Sequence, residues 1–401
     1  MLGIWMWPNE LIKFGADSVF EDCRRIGVTD VFFLTKGLSG RCAFTTVLAP
    51  SMLEGRDLLA EAVSAAHARG IRLHAWFTSA QDENYCALHT DSALVHYSKG
   101  PSSKTVSIAN TSYIHYLCTL INDMLQHEPV DGLHLDYLRY NHLLYGWSDA
   151  DLMRYAQRGV DVAHSRNLIE RTFFEKKENE QDIFEAFRSG DETALALAKA
   201  RIEDVNQFAD AVLDSVREGR NDLCRSAALM PEGAYDLAFA HLHYGQSYHE
   251  LSQRFDLIVP MAYSVSYGMD ADWVGKVMVD ATAHKTKMLA GLHAFEGGSG
   301  LTLCKDIRAA QNIEGVDGIC LFRYGTSLIS VVREGMLELM NPTDTPVTRI
   351  AFSDGTQEES IEVSLATKQD IRIKLPFDAK ILRAWSGEKE ICAFMTESSS
   401  F

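Results

Sequence analysis

The stretch VDGLHLDYLRY, residues 130–140, decides how this chain is expected to fold. Gly132, His134 and Asp136 alternate with two leucines, which is the period-2 pattern of a pleated strand. Asp136 stands where this strand ends, and Arg139 follows three residues later. Because parallel barrel strands bring their carboxyl-terminal residues to one open face, this position is typical of chemistry in an α/β barrel. The alternative is a structural ion pair between Asp136 and Arg139 at the barrel rim.

Strand-like runs, apolar and rich in β-branched or aromatic residues, recur before residue 330 with helix-length segments between most of them. The runs are Leu2–Trp7, Thr29–Thr35, Ile71–Ser79, Val130–Tyr137, Leu223–Met230, Phe255–Ser264, Lys287–Phe295 and Val316–Tyr324. Strands that alternate with helices indicate parallel pairing in a sheet covered on both faces. We therefore predict an α/β fold, a (β/α)8 TIM barrel. An open doubly wound sheet is the alternative, but the Pro-Asn-Glu after the first run lacks the glycine-rich turn of a dinucleotide site.

Composition limits the classes of partner. The 401-residue chain has a formal net charge of −17, which disfavours nucleic acid and anionic membrane surfaces as partners. No apolar run is long enough to cross a bilayer, and the sequence does not indicate an oligomeric state. Eight scattered cysteines without a Cys-x-x-Cys pair suggest reduced thiols and a cytoplasmic protein. The first residues resemble no signal peptide, and a secreted protein is the alternative if a leader has been trimmed.

The chain changes character near residue 341, where Asn-Pro-Thr-Asp-Thr-Pro follows a predicted last barrel helix over Ser327–Met340. Short alternating runs come next, at Thr348–Phe352, Ser360–Ser364, Asp370–Leu375, Lys380–Trp385 and Glu390–Met395. They predict a small antiparallel, β-sandwich-like domain over residues 341–401, after a barrel domain over residues 1–340. A domain of this size has a small core, so we expect it to pack against the barrel.

Residues 141–222, between the fourth and fifth predicted strands, exceed the roughly 20–30 residues that a barrel connection needs. We predict a helical insertion here, with one long amphipathic helix over Asp191–Arg217. Two positions are open for it. It could form a wall of a cleft on the open face of the barrel, or a bundle on the barrel side.

The carboxyl ends of the predicted strands carry aromatic, acidic, imidazole and guanidinium side chains. Besides Asp136 and Arg139, the candidates are Trp5, Trp7, His74, Trp76, His134, Tyr140, Glu232, Tyr263, His293, Glu296 and Arg323. Aromatic rings stack on sugar C–H surfaces, while carboxylates and imidazoles bind hydroxyls, and an acidic cleft favours an oxocarbenium-like transition state. A single aromatic residue of this kind is more often part of a core. The prediction of a carbohydrate site therefore depends on their joint placement.

The motif DGLHLDYLRY, residues 131–140, resembles the fourth-strand motif of the glycoside-hydrolase-like family 10 barrels. Two later stretches are similar to that family in the same order: YGQ at 244–246 with FDLIVPMAY at 255–263, and DGICLFRYG at 317–325. The chain departs from the family at Asn141, where a proline is common. The resemblance spans most of residues 1–340 and implies a hydrolase that acts on the glycosidic bond of an oligosaccharide or other glycoside.

By this resemblance, Asp136 takes the position of the nucleophile, and a carboxylic acid from another strand is the proton donor. Such hydrolysis needs one carboxylate that stays ionised and one whose pKa is raised. We expect Arg139 to keep Asp136 ionised. Glu232, directly after the fifth strand, is the first candidate for the acid, and Glu296 is the second; a solvent-facing carboxylate at the rim is the alternative for Glu232.

Two other classes of protein remain open. A non-catalytic carbohydrate-binding barrel would keep the aromatic floor without a second carboxylate. A metal-dependent barrel hydrolase would need His-x-His at the end of the first strand, where Trp-Met-Trp stands instead. His241 and His243 lie in a helix-like stretch, where residues two apart do not face together. We therefore predict no metal site and no cofactor.

Overall fold

Strands and helices alternate along the described part of this computed structural model, which is residues 1–175, 181–217, 220, 222–284 and 286–397. The strands are β1 (Leu2–Met6), β2 (Asp30–Lys36), β3 (Arg72–Thr78), β4 (Ala93–His96), β5 (Gly100–Val106), β6 (Gly132–Asp136), β7 (Cys224–Leu229), β8 (Leu257–Pro260), β9 (Lys287–His293), β10 (Val316–Phe322), β11 (Leu328–Arg333), β12 (Met336–Met340), β13 (Val347–Ser353), β14 (Glu358–Leu365), β15 (Asp370–Lys374), β16 (Ile381–Ser386), β17 (Lys389–Ile391) and β18 (Ala393–Glu397). The helices are α1 (Pro8–Phe14), α2 (Ala16–Arg25), α3 (Leu58–His67), α4 (Glu83–Leu88), α5 (Thr111–His127), α6 (Asp149–Gln157), α7 (Val162–Phe173), α8 (Ile183–Ser189), α9 (Glu192–Arg217), α10 (Glu232–Tyr235), α11 (Leu237–Phe239), α12 (Tyr248–Leu251), α13 (Ser264–Tyr267), α14 (Ala271–Thr282) and α15 (Gly300–Gln311), with a 3₁₀ turn at Thr90–Ser92 and a π-helical turn at Ala240–Tyr244.

A closed barrel of parallel strands, in the order β1-β10-β9-β8-β7-β6-β3-β2, forms the body of the molecule. Each predicted run coincides with one of these strands, with β2 extending one residue beyond its run, which confirms the TIM barrel. The strands are buried on both faces, as the near-continuous apolar runs indicate. Trp5 and Phe32 point into the barrel interior, whereas Ile4 and Phe33 pack in the core cluster outside it.

Close packing against the neighbouring strand explains why the fourth-strand motif has glycine at position 132. A Cβ added at Gly132 would lie 2.0 Å from the Nδ1 of His74, on the neighbouring strand β3. A larger residue would therefore displace the His74 ring from the barrel interior. Beyond the strand, Tyr137 adopts a φ of 53°, in the left-handed region that non-glycine residues rarely occupy. This turn redirects the chain directly after Asp136.

The insertion is helical, as predicted, and consists of α6 to α9. The long helix α9 contributes to two cores. Leu197 and Ala198 pack with α6 to α8 in a separate cluster, while Phe208 and Val212 join the main core around the barrel. The second half of α9 therefore takes the place of the usual barrel helix, and the first half packs with the inserted helices around Leu143 and Leu242, which follow β6 and β7.

The C-terminal strands form two four-stranded sheets, β15-β12-β11-β18 and β14-β13-β16-β17, with a shared apolar core. Pairing is antiparallel except between β11 and β18. The sheets pack against the barrel, as expected. Arg25 of α2 donates to Glu338 at 2.7 Å and to Asp370 at 3.0 Å, and Lys368, between β14 and β15, donates to Asp22 of α2.

The predicted helix over Ser327–Met340 is wrong, because this segment is the antiparallel hairpin of β11 and β12. Ile329, Val331 and Val332 are β-branched and favour a strand. Glu334 and Gly335 between the strands have positive φ values of 50° and 74°, the conformation of a tight hairpin turn. The β structure therefore begins at Leu328, not after residue 341.

Candidate active site

A cavity of about 550 Å³ opens at the carboxyl-terminal mouth of the barrel. It is lined by Trp5, Trp7, Leu34, Gly37, Leu38, Ser39, Met52, Trp76, Thr78, Glu83, Asp136, Tyr137, Arg139, Met230, Met261, Tyr263, Tyr267 and Phe322. The predicted residues that it brings together are Trp5, Trp7, Trp76, Asp136, Arg139 and Tyr263. No described residue of the 141–222 insertion lines the cavity, so the insertion is not its wall.

Asp136 ends β6 at the cavity and is only 7% exposed. Its Oδ2 accepts a hydrogen bond from the Trp76 indole at 3.2 Å, and its Oδ1 accepts one from the Tyr137 amide at 2.6 Å. Burial raises the pKa of Asp136 to about 6, although the Arg139 charge and both hydrogen bonds lower it. Desolvation therefore outweighs the Arg139 charge, and the expectation that Arg139 keeps this carboxylate ionised stays a prediction for pH values above about 6.

Arg139 faces aromatic rings. Its guanidinium lies 4.9 Å from the ring centre of Tyr137 and 5.4 Å from that of Tyr244. It donates to the Tyr140 carbonyl at 3.4 Å, and its buried Nε has no hydrogen-bond partner in the described part of the chain. Its charge lowers the pKa of both Asp136 and Glu232, so this guanidinium acts on both candidate carboxylates. It does so without forming the ion pair with Asp136 at the barrel rim.

Glu232 begins α10, directly after Pro231, and is 8% exposed. The Tyr267 hydroxyl lies 3.1 and 3.2 Å from its two carboxylate oxygens and donates to them. Burial raises the pKa of Glu232, while Tyr267 and Arg139 lower it. Glu232 is therefore not a solvent-facing rim carboxylate. It stands behind the cavity wall, and its partner Tyr267 lines the cavity.

His74 and His134 lie beneath the cavity, inside the barrel. The His74 Nε2 is 2.9 Å from Asp30 Oδ1. The Trp5 indole donates to His134 Nε2 at 3.3 Å, and His134 Nδ1 lies 2.9 Å from the Ser226 hydroxyl. Burial lowers the pKa of His134 well below its usual range, so the ring is neutral and holds Trp5 in place. Neither imidazole lines the cavity.

Tyr140 points away from the cavity towards the insertion. Its hydroxyl donates to Asp204 of α9 at 2.5 Å, and the Arg201 guanidinium lies 3.7 Å from its ring centre. Asp204 also accepts from Arg154 at 2.9 Å. Tyr140 therefore joins the end of the fourth-strand motif to the inserted helices.

Three further candidates lie around the cavity without lining it. The Arg323 guanidinium is 3.7 Å from the ring centre of Trp7 and supports that indole from behind. The His293 ring stacks on Phe295, with ring centres 3.5 Å apart. Glu296 is 82% exposed and pairs with Lys389 at 2.7 Å. Exposure and this outward ion pair place Glu296 away from the buried carboxylates.

Sequence reasoning missed several lining residues. Glu83 lies five residues beyond β3, at the start of α4, and pairs with Lys104 at 3.3 Å. Leu38 and Met52 come from the long segment between β2 and α3, for which no strand-end signal exists. Tyr267 was detectable only by its position after the sixth barrel strand.

Among the described residues, no group of three or more His, Cys, Asp or Glu is placed to hold a metal ion. His243 lies in the π-helical turn, where its Nδ1 accepts a hydrogen bond from the Leu143 amide at 3.0 Å. In the same part of the chain, no helix has both the length and the apolar character to cross a membrane.

No protein-family model matches the chain, and no curated protein matches it in sequence. Its fold is similar to that of the PgaB (BpsB) glycoside hydrolase domain from Bordetella bronchiseptica, with a TM-score of 0.64, 12% identity, and coverage of 79% of this chain and 92% of that one. A β-galactosidase from Marinomonas ef1 matches with a TM-score of 0.59, 15% identity and coverage of 80% and 54%. Alpha-L-fucosidase isoenzyme 2 from Paenibacillus thiaminolyticus matches with a TM-score of 0.55, 12% identity and coverage of 78% and 43%.

These neighbours are TIM-barrel glycoside hydrolases. At such low identity, the similarity establishes the barrel fold and carries no residue roles. The resemblance to glycoside-hydrolase-like family 10 stays a prediction, because no family model matches.

Proposed function

We propose that this protein is a glycoside hydrolase that acts on a carbohydrate at the mouth of its barrel, with Asp136 as the essential carboxylate. The observation that carries the proposal is the environment of Asp136. It is a buried carboxylate with a raised pKa, in a cavity whose floor and sides include Trp5, Trp7 and Trp76. Carboxylates among aromatic platforms suit both sugar binding and stabilisation of an oxocarbenium-like transition state.

We assign Asp136 as the nucleophile and Glu232 as the proton donor. Above about pH 6 Asp136 is mostly ionised, as a nucleophile must be. The raised pKa of Glu232 suits a group that holds a proton for the leaving oxygen. Because Glu232 stands behind the wall, its proton would pass through the Tyr267 hydroxyl, which lines the cavity and would accept a hydrogen bond from Glu232 when that carboxyl is protonated.

Asp136, Tyr267 and Glu232 account for the bonds and protons of both steps of the reaction. Asp136 attacks the anomeric carbon as the glycosidic C–O bond breaks, and the leaving oxygen takes a proton from Tyr267, which is replaced from Glu232. Water then attacks the anomeric carbon, the bond to Asp136 breaks and releases its carboxylate, and the proton of the water returns through Tyr267 to Glu232. The pH profile tests the roles. Activity should rise as the pH increases through about 6, because the nucleophile must lose its proton. A decrease through this pH would identify Asp136 as the acid instead.

The test of function is hydrolysis of a panel of 4-nitrophenyl glycosides and an oligosaccharide mixture by the wild type and Asp136→Asn. We expect a rate loss of at least about 100-fold, because charge stabilisation in the transition state is lost. Asp272→Asn, an exposed change in α14, is the matched control and should keep full activity. Rates for Asp136→Asn within a few-fold of the wild type would contradict the assignment.

A non-catalytic carbohydrate-binding barrel is the second candidate. One observation favours it: within the described chain, Asp136 is the only buried carboxylate among the lining residues, since Glu232 does not reach the cavity. Binding of oligosaccharides by calorimetry, with no turnover of any member of the panel by the wild type, would support this candidate and exclude the hydrolase.

A further inference from the structure

The lining of the cavity is unevenly divided between polar and apolar groups. Thr78 and Asp136 end the adjacent strands β3 and β6, and Glu83 and Arg139 come from the segments that follow these strands. Apart from Ser39, Gly37 and the tyrosine hydroxyls, the lining from the other strands is apolar or aromatic. A ligand that fills this cavity therefore meets hydrogen-bonding groups mainly on one side.

An aliphatic corner, made of Leu34, Leu38 and Met52, faces the cavity from β2 and the segment after it. The side chains of Leu34 and Met52 meet around Gly37, where an added Cβ would lie 3.3 Å from Met52 Cε and 3.7 Å from a methyl carbon of Leu34. Leu38 is 47% exposed. Because apolar surface is unfavourable in water, such exposure in the cavity that also holds Asp136 suggests a surface that a ligand covers.

Hydrogen bonds hold this corner in place. The Met52 amide donates to the Cys42 carbonyl at 2.7 Å, and the Gly37 amide donates to the Arg41 carbonyl at 3.1 Å. The Glu83 amide, at the start of α4, donates to the Leu38 carbonyl at 3.1 Å. The corner is thus tied both to its own segment and to the next barrel loop. A preformed apolar surface binds an apolar group without the cost of ordering a loop.

The chemistry of the corner favours an apolar group over a further sugar unit. A pyranose carries hydroxyls around its ring, and a hydroxyl that loses water without gaining a partner costs about 1–3 kcal/mol. Aliphatic side chains offer no such partner. Met230 and Met261 add apolar surface elsewhere in the lining. A cavity of about 550 Å³ is also in the range of small-molecule sites.

We infer that the substrate is a small glycoside with an apolar aglycone, whose sugar lies against Asp136 and the tryptophans and whose aglycone covers the aliphatic corner. This inference rests on the proposed function and adds the substrate class. It makes Leu38 and Met52 specificity-determining residues for the leaving group. Their contribution is burial of apolar surface, so it should grow with the length of an alkyl aglycone.

The experiment uses the full chain and a neutral fluorescent probe, N-phenyl-1-naphthylamine, displaced by methyl or n-hexyl β-D-glucopyranoside. We expect saturable probe binding and at least about tenfold stronger displacement by the hexyl glycoside, since each buried methylene adds up to about 0.8 kcal/mol. Leu38→Asn and Met52→Gln should each weaken probe binding by roughly tenfold. Leu88→Asn, at a position that is 70% exposed and does not line the cavity, is the matched control.

Leu38 is exposed, so its variant should fold, and circular dichroism checks this. Equal displacement by the two glucosides, or wild-type probe affinity in Leu38→Asn, would overturn the inference. Hydrolysis of oligosaccharides without probe binding would overturn it and leave the glycoside hydrolase standing. Probe binding that depends on Leu38, without turnover of hexyl or 4-nitrophenyl glycosides, would support the apolar subsite and contradict the proposed hydrolysis.

Discussion

Replacement of Asp136 by asparagine should stabilise the folded protein at alkaline pH while it abolishes activity. Burial raises the pKa of Asp136 from its ordinary value of 3.8 to about 6, so the folded state binds this proton more tightly than the unfolded state. Stability from this group is therefore present below pH 3.8 and is lost as the pH rises towards and through 6. The pKa difference corresponds to a loss of about 3 kcal/mol at pH 8, at about 1.36 kcal/mol for each pH unit.

The asparagine side chain removes this pH-dependent loss but also changes the hydrogen bonds. Its carbonyl oxygen can still accept from the Tyr137 amide, whereas its amide nitrogen cannot accept from the Trp76 indole. The lost hydrogen bond costs about 1 kcal/mol at every pH. We therefore expect a net gain of about 2 kcal/mol at pH 8 and a small loss at pH 4.

Urea unfolding of the wild type and of Asp136→Asn at pH 4, 6 and 8 measures this difference directly. In thermal unfolding, the melting temperature of the variant relative to the wild type should rise by about 2–3 °C between pH 4 and 8, from about 2 cal/mol/K of unfolding entropy per residue. Asp272→Asn should show no such trend. A stability difference between Asp136→Asn and the wild type that is constant across this pH range would refute the reasoning.

Four further variants test the surroundings of Asp136. Arg139→Met should raise the pKa of Asp136 above about 6, because the guanidinium charge lowers it, and the rising limb of the pH–rate profile should move to higher pH; an unmoved limb would exclude this coupling. Glu232→Gln should slow glycosides with poor leaving groups far more than aryl glycosides, which need little protonation, and equal slowing would place the acid elsewhere. Tyr267→Phe should reproduce that selectivity if the hydroxyl passes the proton, with uniform slowing as the contrary result. Tyr140→Phe should lower the free energy of unfolding by about 1 kcal/mol, through loss of its bond to a buried carboxylate, and leave KM unchanged; a raised KM would place Tyr140 in the site.

The barrel was predictable because its signal is local. Each barrel strand is buried on both faces, so it appears in the sequence as a short apolar run between amphipathic helices. Asp136 was predictable for the same reason, since a carboxylate that ends a parallel strand must emerge at the open face. The segment 327–340 shows the limit of such signals: its leucines and methionines suit a helix, yet β-branched residues and the turn at Glu334 and Gly335 place it in a sheet.

Which strand-end side chains meet in the cavity depended on the tertiary structure. His74 and His134 lie below the floor because they stand four and two residues before the ends of β3 and β6, and the tertiary structure fixed where those strands end. Glu296 points outward and pairs with Lys389. Leu38 and Met52 line the cavity from a segment that has no helical or strand-like hydrophobic periodicity, so the sequence does not indicate its path.

The sequence by itself therefore determined the barrel, the helical insertion and the place of Asp136, because these follow from the spacing of apolar and polar residues along the chain. The pKa of Asp136, the position of Glu232 behind Tyr267 and the aliphatic corner were decided only in three dimensions. Desolvation and apolar contact depend on atoms that are distant in the chain and near in space, which spacing along one strand does not encode.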